Sequence, residues 1–398
     1  MLQTMIATPE AIKAQTRDRI RGSLIGGAIG DALGYPVEFM SRNSIISQFG
    51  RRGITTFSLD RDGKALISDD TQMTLFTANG LLLGVTHGCT HGVANPLEEY
   101  VRLAYLDWYY TQGGDVNTAP YTWIRSLPEL SHLRAPGNTC LSACDALLHH
   151  REVNNKSKGC GGIMRVAPMA LLCAGYWSRD EHFYSEAEMD KAGAYIAAIT
   201  HKHPLGFMPA AMLTHLLYQI IQKGKYLDIV GIALDSTQAL LNFPDYYPIE
   251  RANLSKLTEE AVMLALNEES DAENISQLGE GWTGEEAWAI ALYCAVRHVD
   301  NIEEAIIAAV NHDGDSDSTG AICGNIMGAI YGYEAIKHLN LCCPRGRDLE
   351  QTLELAPIIL SLADDLYTSC IIGEHIPLDT PEKQQWYERY CYCKASGI

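Results

Sequence analysis

GSLIGGAIGDALG, residues 22–34, places Gly22, Gly26, Gly30 and Gly34 at every fourth position, and GAICGNIMGAIYG, residues 320–332, does the same with Gly320, Gly324, Gly328 and Gly332. A step of four residues returns to nearly the same face of a helix. Glycine inside a helix costs about 1 kcal/mol relative to alanine, so eight of them need a compensating gain. A face without side chains lets two helix backbones approach closely, and Asp31 with the polar residues around it rules out the membrane form of this device. The two stretches are therefore expected to be central helices that lie against each other. The acidic residues at their ends would then converge.

The rest of the chain repeats the helical period. Leu213, Leu216, Leu217, Ile220 and Ile221 share one helix face, as do Ile302, Ala305, Ile306, Ala309 and Val310, and again Ala287, Ile290, Ala291 and Cys294. Thr8-Pro9-Glu10 combines an N-cap, a proline at the first helical position and an acidic first turn, which predicts a helix start. Strand-like alternation is scarce: ITTFSL (54–59) and KALIS (64–68) would at most make a small hairpin. The expected fold is all-α, one large domain without repeats or low-complexity linkers.

Composition narrows the function classes. With 47% hydrophobic and 20% charged residues in 398, the chain reads as a globular protein with a sizeable core. Its net charge of −19 argues against nucleic acid or an anionic membrane as partner. No membrane span is expected, and residues 1–20 have neither a basic nor an apolar segment of the signal-peptide kind. The twelve cysteines form no C-x-x-C pair; Cys342 and Cys343 are adjacent, and Cys391 and Cys393 flank a tyrosine. Buried thiols in a reducing cytoplasm are the expectation.

The acidic pattern carries the chemistry. In NHDGDSDSTGAICGN (311–325), Asp313, Asp315 and Asp317 occupy alternate positions in a chain already strongly negative. Their repulsion is costly unless a cation sits among them. A second cluster, Ser68-Asp69-Asp70, precedes an apolar run and reads either as a capped helix start or as part of a site. Glu38 follows the first glycine stripe and alone would pass for a surface residue, just as Asp315 and Asp317 alone would pass for a solvated turn. Oxygen donors without a cysteine or histidine set suit Mg²⁺, Mn²⁺ or Ca²⁺ rather than Zn²⁺. The D-x-D-x-D run begins like an EF-hand loop but has Ser318 where glycine is needed and Gly324 where a bidentate glutamate is needed. Two acidic clusters far apart in sequence, each with a hydroxyl beside its aspartates, fit a two-metal site better.

These residues fall into motifs that run in a known order. GSLIGGAIGDALGYPVEF, SDDTQMT, GCGGIMRVAP, THKHPLGF and GDSDSTGAICGNIMGAIYG resemble the ADP-ribosylglycohydrolases, the group of dinitrogenase-reductase-activating glycohydrolases and ADP-ribosylhydrolases. RAPGNTCLSA (134–143) and LGEGWTGEEAWAIALYCA (278–295) look like the family's bacterial members. The resemblance implies a many-helix domain over 19–398, with 1–18 as an N-terminal extension, and two Mg²⁺ or Mn²⁺ ions in a central cleft. It implies Ser68, Asp69 and Asp70 as metal ligands from one side and Asp315, Asp317 and Ser318 from the other. Asp313 stands where the family commonly has glycine or another small residue and is left outside that set. Glu38 matches the glutamate near the scissile bond; Glu38 or a metal-bound aspartate such as Asp315 would be the base. Asp31 would be a supporting carboxylate. The loop Gly159-Cys160-Gly161-Gly162 would offer backbone N–H groups to the anionic ligand, with Cys160 where some relatives have asparagine, and His201 or His203 would stand near it.

The implied activity is hydrolysis of the bond between ADP-ribose and a protein side chain. The GDSDS run looks more like the arginine-directed branch than the serine-directed one, whose version usually reads GDTDT. Partners would be ADP-ribose and an ADP-ribosylated protein. A binding protein of the same fold without turnover and a Mg²⁺-dependent pyrophosphohydrolase are the alternatives.

Overall fold

The computed structural model describes residues 8–91, 95–178, 184–224, 228–243, 246–342, 346–368 and 380–391. It is 71% helical, with eighteen helices and no strand among the described residues. In chain order the first are α1 (Pro9–Gly34), α2 (Arg42–Phe49), α3 (Asp69–His91), α4 (Leu97–Thr111), α5 (Asn138–Leu148), α6 (Ala167–Trp177), α7 (Glu186–Ala198) and α8 (Pro204–Lys223). There follow α9 (Ile229–Asp235), α10 (Pro248–Ala265), α11 (Asp271–Leu278), α12 (Gly284–Arg297), α13 (Ile302–Val310) and α14 (Ser316–Tyr331). The last four are α15 (Tyr333–Ile336), α16 (Leu349–Thr352), α17 (Ala356–Thr368) and α18 (Pro381–Tyr390).

The helix starts follow local chemistry. The Thr8 hydroxyl accepts the Ala11 N–H at 3.3 Å, and Pro9 sits in the first turn, where its missing donor costs nothing. From there α1 runs without a break past residue 18, the expected edge of the extension; residues 1–7 lie outside the described residues. Ser185 with Glu188 and Ser270 with Glu273 form capping boxes at the starts of α7 and α11.

α1 and α14 pack antiparallel, stripe on stripe. A Cβ built on Gly22 would lie 2.3 Å from the Gly328 carbonyl oxygen, one on Gly26 2.2 Å from that of Gly324, and one on Gly30 1.9 Å from that of Gly320. The ladder ends where a Cβ on Gly34 would meet the Ser316 carbonyl oxygen at 2.3 Å. Backbone therefore touches backbone along the whole pair, and close contact offsets the helix cost of the glycines. The Ser23 hydroxyl also donates across it to the Asn325 carbonyl at 3.0 Å. Around this pair, α3, α6 and α17 pack on α1's side and α12, α13 and α8 on α14's. Gly324→Ala, which would favour an isolated helix, is expected to destabilise the protein by about 1–3 kcal/mol, because its Cβ would stand 2.0 Å from the Gly26 carbonyl oxygen. An unchanged Tm would show that the helices can part without loss.

The three apolar faces expected from sequence are buried in α8, α12 and α13. The hairpin is not formed. Lys64 O does accept the Asp60 N–H at 2.8 Å, but Ala65 bridges in parallel to Leu353, and Phe57 N–H goes to Leu341 O at 3.0 Å. The two segments pair with the C-terminal part of the chain because their apolar residues Ile54, Phe57, Ala65 and Ile67 are all buried in the common core. One helix, α8, is long and apolar enough to cross a membrane by length and composition alone. Its apolar window is wholly buried, so its hydrophobicity on every side serves the core. Cys140, Cys144, Cys173, Cys294 and Cys323 are buried thiols without disulfides, while Cys343 and Cys393 lie outside the described residues.

Candidate active site

Antiparallel packing brings the C-terminal end of α1 to the N-terminal end of α14. There Pro36, which has no N–H to donate, stands in the 3₁₀ turn Tyr35–Val37 that follows α1. Glu38 comes directly after this turn. Its carboxylate meets those of Asp315 and Asp317, with one oxygen of each lying within 4.8 Å of the others and all three residues buried. Asp315 is the N-cap of α14, accepting the Ser318 N–H at 3.3 Å, and Ser318 N–H also reaches Asp317 Oδ1 at 3.0 Å. Ser68 plays the matching part at the start of α3: its hydroxyl accepts the Asp70 N–H at 3.2 Å, and it hydrogen-bonds the Asp317 carboxyl. Both acidic clusters thus sit at helix N-termini, where the peptide dipoles favour negative charge.

Asp31 braces the arrangement from beneath. Fully buried, it accepts the Ser68 N–H at 3.0 Å and the Thr71 N–H at 3.1 Å, and the Thr71 hydroxyl as well. Asp69 Oδ2 accepts the Gly137 N–H at 3.2 Å, while its own N–H donates to Arg134 O at 2.9 Å. Two oxygens are left over: Glu38 Oε2 and Asp70 Oδ2 are buried without a hydrogen-bond partner. Asp313 stands apart and exposed, with its Oδ1 accepting the Arg42 N–H of α2 at 2.9 Å.

Crowding carboxyls in a buried space penalises their charge. Burial first, and then the charge of Asp317, push Glu38 up to about 10 and Asp31 up to about 7. The same two causes raise Asp69, Asp70 and Asp315 well above the usual carboxylate range, and burial raises Asp317. Unpartnered buried oxygens cost about 1–3 kcal/mol or more each. An oxygen-rich set with two spare acceptors and this much repulsion fits a hard divalent cation.

The glycine loop differs in detail from the expectation. The Gly159 N–H donates to Ser157 Oγ at 3.3 Å and the Cys160 N–H to Trp282 O at 3.2 Å, so these two donors are already engaged. The glycines instead make room for His201: a Cβ on Gly159 would lie 3.1 Å from its Nε2, and one on Gly161 3.0 Å from its Cε1. His201 is buried, bonded through Nδ1 to Thr200 Oγ1 at 2.8 Å, and pushed down to about 3 by burial and then by Arg165. It is a neutral ring beside the loop. His203 caps α8, with Nδ1 accepting the Leu205 N–H at 3.1 Å. Cys160 reaches the acidic cluster directly, its thiol donating to Asp315 Oδ2 at 2.7 Å.

The model of the family described as ADP-ribosylglycohydrolase matches residues 12–372. The chain belongs to the ADP-ribosylglycohydrolase family. It is 26% identical over 328 residues to the ADP-ribosyl-[dinitrogen reductase] glycohydrolase of Rhodospirillum rubrum, covering 80% of this chain and 87% of that one. It is also 26% identical to mouse ADP-ribosylhydrolase ARH3, over 45% of this chain and 51% of the relative. Among solved structures, a chain of an "ADP-ribosylglycohydrolase-related protein complex" superposes with a TM-score of 0.60 at 21% identity, covering 89% of this chain and 99% of that one, a likeness of fold.

Several residues around the acidic cluster carry no assigned role in the sequence. Thr71 holds Asp31, and Arg134, paired with Glu354 at 2.9 Å, presents the carbonyl that anchors Asp69. Arg165, fully buried, donates to Cys140 Sγ at 3.3 Å and to Thr200 Oγ1 at 2.5 Å and stacks over the Tyr105 ring. A lone arginine inside the apolar GCGGIMRVAP motif was the available signal for it. Phe39 and Trp282 stack on each other at the protein surface with ring centroids 5.8 Å apart. In sequence Trp282 is marked only by its place in LGEGWTGEEAWAIALYCA.

Proposed function

We propose that this chain is a divalent-metal-dependent ADP-ribosylhydrolase that frees ADP-ribose from a modified protein side chain, with arginine as the linked residue. The observation that carries the reading is the buried carboxylate cluster of Glu38, Asp315 and Asp317, with Glu38 Oε2 and Asp70 Oδ2 left without partners. Ser68, Asp69 and Asp70 from the start of α3, with Asp315, Asp317 and Ser318 from the start of α14, would hold two Mg²⁺ or Mn²⁺ ions. Such ions, when bound, supply positive charge for the ribose hydroxyls and lower the pKa of a water.

The chain's own residues supply the rest. Glu38 takes the proton of the water that attacks C1″ of the distal ribose, and its free Oε2 is the available acceptor. Glu38 becomes an effective base once the aspartate charges that help hold its proton are neutralised; Asp315 is the alternative base. As the glycosidic bond breaks, the ribose gains oxocarbenium character, which neighbouring negative charge stabilises. Asp31 keeps Ser68 and Thr71 in place. The arginine linkage is supported by the GDSDS run, and a reducing, cytoplasmic setting by the buried thiols. A binding role without turnover fits less well, because each expected ligand position keeps an oxygen donor.

The test is incubation of the pure protein with arginine-linked and serine-linked ADP-ribosylated proteins, with and without Mg²⁺ or Mn²⁺. Metal-dependent release of ADP-ribose from arginine is the expected result. AMP as product would mean pyrophosphate cleavage, and metal-independent release would remove the cations from the reading.

A further inference from the structure

Phe39 and Trp282 are large apolar residues left in solvent, 75% and 38% exposed, and among the described residues no other stacked ring pair has both members so exposed. Their position is not arbitrary. Phe39 directly follows Glu38. Trp282 lies on the loop between α11 and α12, and that loop is fastened to the site at several points. The Trp282 carbonyl accepts the Cys160 N–H at 3.2 Å, Gly284 N–H donates to Lys158 O at 2.7 Å, and the Glu280 carbonyl accepts the Asp315 N–H at 2.8 Å. A Cβ on Gly281, which has φ +84°, would stand 3.3 Å from Asp315 Cβ. One ring is therefore carried by the residue next to Glu38, and the other by a loop anchored on Asp315.

We infer that Phe39 and Trp282 form an aromatic platform that binds the guanidinium of the modified arginine, on the leaving-group side of the scissile bond. This deepens the proposed function and rests on it. The adenine of ADP-ribose is separated from C1″ by two phosphates and a second ribose, so rings beside Glu38 meet the departing side chain rather than the base. Guanidinium is planar and weakly hydrated, and it stacks on aromatic faces with electrostatic attraction to them. A chain of net charge −19 draws in a cation. A serine oxygen or an acyl group offers the ring faces nothing equivalent to hold.

The test compares Phe39→Ala, Trp282→Ala and the conservative Trp282→Phe with the parent. Steady-state kinetics on arginine-linked ADP-ribosylated protein are measured beside calorimetric titration with free ADP-ribose. Each alanine variant is expected to raise KM by roughly 3- to 30-fold with a much smaller change in kcat. Trp282→Phe should recover most of the loss, and ADP-ribose affinity should be unchanged, since that ligand lacks the guanidinium. Parallel loss of ADP-ribose affinity would put the rings on the nucleotide and overturn the platform. So would an unchanged KM in a parent that does cleave the arginine linkage, which would leave the proposed function standing. A parent that releases no ADP-ribose from arginine would overturn the arginine linkage and the platform with it.

Discussion

Glu38→Gln is expected to lower turnover of ADP-ribosylated protein by roughly 10²–10⁴-fold, the usual contribution of a positioned base, while ADP-ribose affinity changes little. The amide keeps the size of the side chain and loses its proton affinity and negative charge. Glu38 is buried, and its Oε2 has no partner in the protein, so the substitution breaks no hydrogen bond at that atom. A fall in kcat without a matching loss of ligand binding marks an interaction made mainly in the transition state. Calorimetry with ADP-ribose beside a release assay reads both quantities. Near-normal turnover would remove Glu38 from the chemistry and point to Asp315.

The second large effect is on stability. In the unfolded chain these carboxyls titrate near their ordinary values, about 4. In the folded, metal-free protein they hold their protons to higher pH, Asp31 to about 7 and Glu38 to about 10. Between those limits the native state binds more protons than the unfolded one, so stability falls as pH rises. The Tm of chelator-treated protein should therefore drop between about pH 5 and about pH 8.5. Mg²⁺ or Mn²⁺ should restore it, and more at the alkaline end, where the carboxylates must otherwise face one another ionised. At a hundred times its Kd the ion contributes about 2.7 kcal/mol. Asp70→Asn removes one of the charges and a spare acceptor. It should raise the metal-free Tm at alkaline pH, weaken the response to metal and abolish turnover. A metal response indistinguishable from that of the parent would count against Asp70 as a ligand.

The sequence showed most where one physical requirement dominates. Eight glycines at four-residue spacing admit few explanations other than backbone contact, and α1 lies on α14 as that spacing requires. Helix starts at Thr8 and Ser68 followed from capping alone. The crowding of carboxyls was legible in the acidic motifs, and the structure draws Glu38, Asp315 and Asp317 together. What escaped depends on contacts between distant segments. Nothing local to Arg134 marks its carbonyl as the acceptor for the Asp69 N–H, and nothing in KALIS says that Ala65 pairs with Leu353 rather than with its neighbour in sequence. The glycine loop invited an anion-binding reading because glycine exposes backbone N–H groups; two of these are engaged and the absent Cβ atoms accommodate His201 instead.

The glycine ladder also governs how the protein comes into being. Ser23 and Asn325 meet across it although they are 302 positions apart in the chain. Closing so long a loop costs ~5 kcal/mol in chain entropy by the logarithmic rule, and the reward arrives only when both helices are present. During synthesis α1 leaves the ribosome first and must wait, its bare face uncovered, until α14 follows. Glu38 waits with it, since Asp315 and Asp317, which its carboxylate meets, belong to the late segment. The acidic site is thus assembled last, and a chain cut short before α14 would lack half of the centre along with the partner of its first helix.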